Sequence, residues 1–81
     1  LAAAVQPALL REGGAVYPGL ADRGVKEAGF HVLVGARMPA VLVEASFLTH
    51  PQDARALRDP RYREALAAGL AAGVRRWALG R

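Results

Sequence analysis

Glu44 closes the uncharged run Pro39-Ala40-Val41-Leu42-Val43 and is followed at once by Ala45-Ser46-Phe47-Leu48. An apolar run of this length, rich in β-branched Val, predicts a strand buried on both faces. An ionised carboxylate beside such a strand needs a cation, a metal ion or hydrogen-bond donors to offset its desolvation. In open α/β sheets, ligands gather at the carboxyl ends of strands. Glu44 is therefore a candidate general acid or base. From position alone a second reading stands beside it, a structural carboxylate paired with an Arg.

Three kinds of side chain could join it. His31 and His50 are the only two histidines. Imidazole is the commonest metal ligand, so a site made of His31, His50 and Glu44 has to be weighed. Their spacing matches no helical ligand pair. Arg23 and Lys26 flank Gly24-Val25. Arg grips carboxylates through two parallel hydrogen bonds, so a basic pair beside a cleft would suit an acidic substrate. The alternative for this pair is a solvated loop with a Gly turn.

The elements that must position these residues follow from periodicity and capping. Leu1, Val5 and Leu9 share one helical face. Pro7 is awkward within that helix, and Gly13-Gly14 are its expected stop. Residues 16–22 carry Pro18 and Gly19 and read as a loop, and residues 23–29 as a charged connector. Residues 30–34 and 40–43 are the two expected strands. About five residues join them, too few for a parallel crossover. They are antiparallel if they pair directly, and otherwise each pairs with strands elsewhere. Thr49-His50-Pro51-Gln52 fits a capping box, with Thr49 as cap and Gln52 reaching back, and predicts a helix over 51–57. Phe47 and Leu48 are expected beneath that helix as core. Asp59-Pro60 opens another helix, with Asp as cap and Pro at its first position. Its apolar stripe is Tyr62, Leu66, Leu70, Val74 and Trp77. Gly69 and Gly73 weaken it by about 1 kcal/mol each against Ala, or allow close packing on the sheet.

Composition bounds the rest. Eighty-one residues make one small domain at most, and 53% of them are hydrophobic. That fraction is high for so short a chain, so some apolar side chains are expected to meet partners outside it. There is no Cys, hence no disulfide and no thiolate metal site. No apolar run approaches the roughly 18 residues of a membrane span. The net charge is +4, from 11 basic against 7 acidic residues. The Arg residues are scattered, with few aromatics among them, which speaks against nucleic-acid binding.

Four segments in fixed order carry a resemblance: Arg23-Gly24-Val25-Lys26, then Phe30-His31-Val32-Leu33, then Met38-Pro39-Ala40-Val41-Leu42-Val43-Glu44, then Phe47-Leu48-Thr49-His50-Pro51. Together they resemble the C-terminal portion of the zinc-dependent N-acetylmuramoyl-L-alanine amidases, bacterial cell-wall hydrolases. The likeness runs from about Leu1 to Trp77. It implies an α/β fold, with two short strands flanked by about three helices inside a larger mixed-sheet domain. It implies that residues 1–81 are the C-terminal part of that one catalytic domain. The implied reaction is hydrolysis of the amide bond between N-acetylmuramic acid and L-alanine of the stem peptide, by zinc-activated water with Glu44 as general base and acid. Arg23 and Lys26 become the expected substrate-binding pair.

The family's zinc ligands, two His and a Glu, lie in motifs upstream of Leu1, so no metal ligand is expected in this chain. At the position of His31 the family usually has another bulky residue, and at that of His50 usually Asn. Both departures argue against metal ligation. The expected partner is peptidoglycan, with no nucleic acid and no membrane span, and the expected location is the periplasm or the cell wall. Alone, the 81 residues are expected to be inactive, and to self-associate or dock on the rest of the domain. The alternative reading is a non-catalytic module that docks through its apolar faces.

Overall fold

The computed structural model describes residues 1–26 and 33–80. Among them it contains three helices: α1 (Ala2–Val16), α2 (Pro51–Arg58) and α3 (Pro60–Leu79).

Helix α1 passes through both of its expected obstacles. Pro7 deprives the Ala3 carbonyl of its intrahelical donor. Ala3 and Pro7 are both exposed, so water can meet that carbonyl. Gly13-Gly14 do not end the helix. It runs on to Val16, and the amide of Tyr17 closes it on the Gly13 carbonyl at 2.8 Å. Gly13 stays helical because α3 packs on it. A Cβ there would stand 3.1 Å from Leu66 and 3.4 Å from Tyr62.

Helices α1 and α3 lie antiparallel, with Val5 against Gly73, Ala8 and Leu9 against Gly69, and Gly13 against Leu66 and Tyr62. Val5, Ala8, Leu9, Tyr62 and Leu66 form the buried core. Burying an aliphatic side chain of this size contributes about 1.5–3 kcal/mol. The buried line of α3 is Tyr62, Leu66, Gly69 and Gly73, a 4-3-4 spacing that follows one helical face. The expected stripe is thus corrected. Leu70 and Val74 are 37% and 46% exposed, because the two glycines draw the backbone of α1 against α3 and leave the neighbouring positions outside. These glycines serve helix-on-helix packing, with no sheet involved.

The α/β expectation is overturned, since no strand occurs among the described residues. Of the first expected strand, residues 30–32 lie outside the described set. Leu33 and Val34 enter a turn that Ala36 N closes on the Leu33 carbonyl at 3.2 Å, with Gly35 at φ +88°. The second run is irregular. A strand exists only where peptide groups meet a neighbouring ladder, and among the described residues residues 39–46 have no backbone partner. The run keeps the alternation of an extended chain all the same. Val41, Val43 and Ala45 are half-buried, with Val43 and Ala45 packed on the core, while Leu42 and Glu44 are exposed.

Capping fixes the other ends. Helix α2 begins at Pro51 as expected, but it is capped by His50 and not by Thr49, because Pro51, with φ preset for a first helical position, leaves the residue just before it as the cap. Asp59 caps α3 through Arg61 N at 2.9 Å, with Pro60 next. Phe47 and Leu48 are 37% and 78% exposed, so neither is core, and the Phe47 ring meets the Arg23 guanidinium instead.

Candidate functional site

A cleft of about 340 Å³ opens between the first half of α1, the segment 19–26 and the segment 41–47. Glu44, Arg23, Lys26, His50 and Asp53 all line it. The three residues singled out for catalysis and substrate binding are therefore brought to one cleft, and all three are exposed. His31 lies outside the described residues.

Each wall has a local cause. On one side Asp22 Oδ1 accepts from Gln6 Nε2 of α1 and from Gly24 N, both at 2.9 Å. The second bond is an Asx-type turn, and Gly24 takes a φ of +76°, which favours glycine. The Gln6 bond, and after it the Gly24 amide, hold the Asp22 carboxyl below the usual carboxylate range. This ties the Arg23–Lys26 stretch to α1. The Arg23 guanidinium then lies over the Phe47 ring, 4.5 Å from its centroid, a cation–π contact across the cleft.

The other wall holds Glu44, and the residues just after it are pinned. Ser46 Oγ and Tyr62 Oη are 2.9 Å apart. Phe47 N donates to Asp53 Oδ2 at 3.1 Å, and Tyr17 Oη donates to Asp53 Oδ1 at 2.7 Å. Tyr17 and Tyr62 meet edge to face at 5.2 Å and 79°. The hydrogen bond from Tyr17, then that from Phe47, hold the Asp53 carboxyl below its ordinary range, helped by His50 and Arg23 nearby. The same bond pushes the Tyr17 phenol up. His50 Nδ1 faces both Asp53 N at 3.4 Å and Asp53 Oδ1 at 3.5 Å. It can accept from the first or, when protonated, donate to the second.

Sequence reasoning missed this network. Asp53 is the third residue of α2, where a carboxylate reads as a routine helix-start charge. Tyr62 reads as core stripe, although a buried phenol hydroxyl calls for a partner, and that was the available signal. Among the described residues no three His, Asp or Glu side chains come together as metal donors. Asp53 and His50 are engaged with each other, and Asp53 with Tyr17 and Phe47 as well. The described residues do not fit a zinc site.

Comparison with known proteins places this chain in a family. The family model described as N-acetylmuramoyl-L-alanine amidase matches residues 1–76. The amidase LytC of Bacillus subtilis is 40% identical over 74 residues, 91% of this chain and 14% of that protein. The amidase AmiA of Escherichia coli is 40% identical over 55 residues, 68% of this chain and 19% of that protein. A sporulation-specific N-acetylmuramoyl-L-alanine amidase of Bacillus subtilis is 44% identical over 54 residues, 67% of this chain and 21% of that protein. The chain thus spans no more than 21% of the length of these three curated relatives. No solved structure matches it.

Proposed function

This chain belongs to the N-acetylmuramoyl-L-alanine amidase family, and from that premise we propose that it is the C-terminal part of a peptidoglycan hydrolase's catalytic domain, contributing the carboxylate of Glu44. The observation that carries the reading is the shared cleft. Glu44 stands on its wall, exposed, opposite the basic segment of Arg23 and Lys26.

In this reading the bond cleaved is the amide between N-acetylmuramic acid and L-alanine. Glu44 accepts a proton from the attacking water as its oxygen bonds to the carbonyl carbon. As the C–N bond breaks, Glu44 returns that proton to the leaving amine, so one carboxylate serves as base and then acid. Arg23 and Lys26 hold carboxylates of the stem peptide, Arg through its planar fork and Lys as a point charge. The zinc that the resemblance implies has its ligands, in this proposal, outside these 81 residues.

The enzyme acts in the periplasm or at the cell wall. No helix of the described residues is long and apolar enough to cross a membrane. Val34, Met38, Leu48 and Leu79 are 67–78% exposed, and the proposal takes them as surface on which the remainder of the enzyme or a second copy docks.

The test is Glu44→Gln in the full-length protein, assayed on purified peptidoglycan. Gln keeps the shape and cannot take the proton, so kcat is expected to fall about a hundredfold or more, with substrate binding retained. Turnover near that of the parent would overturn the role.

A further inference from the structure

Glu44 sits in an irregular segment, residues 39–46. Among the described residues, no backbone hydrogen bond ties residues 39–46 to any neighbour. Packing of Val43 and Ala45 on the core sets its depth, but packing alone does not fix the direction of a side chain to the tolerance that proton transfer needs. The attachments that do have direction come two and three residues after it, at Ser46 and Phe47.

We propose that Asp53 is a positioning residue for Glu44, a carboxylate clamp that fixes the Glu44 segment by gripping the Phe47 amide while itself being held by Tyr17. The proposal rests on the reading of Glu44 as the catalytic carboxylate. The two Asp53 oxygens face different ways. Oδ2 takes Phe47 N at 3.1 Å, three residues past Glu44, and Oδ1 takes the Tyr17 hydroxyl at 2.7 Å, just past the end of α1. Helix α2 supplies the rigid base, since Asp53 lies in its first turn. The clamp is therefore anchored at the end of α1 and in the first turn of α2.

A second tether works beside it. Ser46 Oγ lies 2.9 Å from the hydroxyl of Tyr62, whose side chain is fully buried. The Tyr17 and Tyr62 rings touch edge to face, so the groups that hold Ser46 and Phe47 form one unit. Two consecutive residues after Glu44 are fixed from two directions, one by a hydroxyl and one by a carboxylate. Such fixing suits a segment that, among the described residues, has no backbone ladder and whose carboxylate lines the cleft. A carboxylate accepting two donors also stays ionised at working pH, and an ionised acceptor makes the stronger bonds.

The experiment compares Asp53→Ala, Asp53→Asn and Tyr17→Phe with Glu44→Gln in the full-length protein. It measures kcat and KM on a soluble muropeptide, and amide hydrogen exchange at Phe47 and in α3. Asp53→Ala is expected to lower kcat about ten- to a hundredfold, with KM within about threefold and exchange at Phe47 about tenfold faster. Exchange in α3 stays as in the parent. Asp53→Asn, which keeps one acceptor oxygen, recovers part of kcat, and Tyr17→Phe falls between parent and Asp53→Ala.

Parental kcat in Asp53→Ala, with Glu44→Gln inactive, overturns the clamp and leaves Glu44 standing. A Glu44→Gln variant that stays active overturns the reading beneath it, whatever Asp53→Ala does. Equal loss of protection in α3 and at Phe47 makes Asp53 a general stability residue and also overturns the proposal. If Asp53→Ala does not fold, Tyr17→Phe decides alone: unchanged kcat and unchanged Phe47 exchange in that variant overturn the clamp.

Discussion

Tyr17 donates its phenol hydrogen to Asp53 across 36 residues of sequence, at 2.7 Å. That bond joins the end of α1 to the start of α2, and it is strongest while Tyr17 is protonated and Asp53 is ionised. The Asp53 carboxyl is lowered, so its contribution to stability is full above the unfolded value of about 4 and is lost as pH falls through the lower folded value. The Tyr17 phenol is raised, so its contribution is full below about pH 10 and is lost as pH rises through the higher folded value. Both groups have solvent access, which keeps each effect small. In a series of melts from pH 3 to 11, Tyr17→Phe is expected to flatten the alkaline limb and Asp53→Asn the acid limb. A parent profile with the same limbs as both variants would refute this account.

The glycines of α3 make a steric prediction. A Cβ on Gly73 would lie 2.5 Å from Val5 Cα, and one on Gly69 would lie 2.9 Å from Leu9 Cα and from the Ala8 carbonyl oxygen. These are backbone atoms that cannot swing aside. Gly69→Ala and Gly73→Ala are each expected to destabilise by about 1–3 kcal/mol, the usual penalty of overpacking, in spite of Ala's better helix propensity. Gly14 has nothing within 4 Å of its notional Cβ. Gly14→Ala should therefore stabilise by about 0.5–1 kcal/mol. Urea denaturation of the three variants reads both signs, and a Gly73→Ala protein as stable as its parent would refute the close approach.

Features coded within a few residues were legible in the sequence. Asp59-Pro60 announced α3 because a cap and its proline act on adjacent peptide groups. The apolar face of α1 was visible in Leu1, Val5 and Leu9 for a similar reason. The features that failed depend on distant partners. Val41, Leu42 and Val43 have strand composition, yet strand formation requires a ladder that nothing local supplies. Gly69 and Gly73 read as weak points until Val5 and Leu9 are seen lying on them. Gly13-Gly14 read as a stop for want of knowing that Leu66 and Tyr62 pack there. The cleft residues Glu44, Arg23 and Lys26 could be named from residue type and motif order. Asp53 could not, since its meaning lies in Tyr17, far away in the sequence.

Tyr62 separates the packing of a ring from the work of its hydroxyl. The side chain is fully buried, and its oxygen pairs with Ser46 Oγ at 2.9 Å. Tyr62→Phe keeps the ring against Tyr17 and removes one partner of the Ser46 hydroxyl, which is only partly buried and keeps the Ala45 carbonyl that it already meets. The expected loss is about 1 kcal/mol. Tyr62→Ala removes the centre of the core and should cost about 3–5 kcal/mol. Calorimetric melts check the ratio. Equal losses in the two variants would mean that the hydroxyl, and not the ring, dominates this site.

Arg23 offers the sharpest test of whether the cleft holds an acidic ligand, as proposed. Its guanidinium already rests on the Phe47 ring, so truncation to Ala would mix lost stacking with lost charge. Arg23→Met keeps an apolar stem over the ring and removes the cation, while Arg23→Lys keeps the cation and removes the planar fork. If Arg23 grips a substrate carboxylate bidentately, both variants raise KM in the full-length enzyme. Met should do so by about tenfold or more and Lys by less, in keeping with a charge-assisted bond of about 1.5–3 kcal/mol. The value of kcat changes little, because the contact is the same in the bound ground state and the transition state. Lys26→Met should move KM in the same direction by a smaller factor, since a single ammonium lacks the paired geometry. A KM unchanged in Arg23→Met would reduce Arg23 to a lid over Phe47, leaving the carboxylate-binding role to Lys26 or to neither.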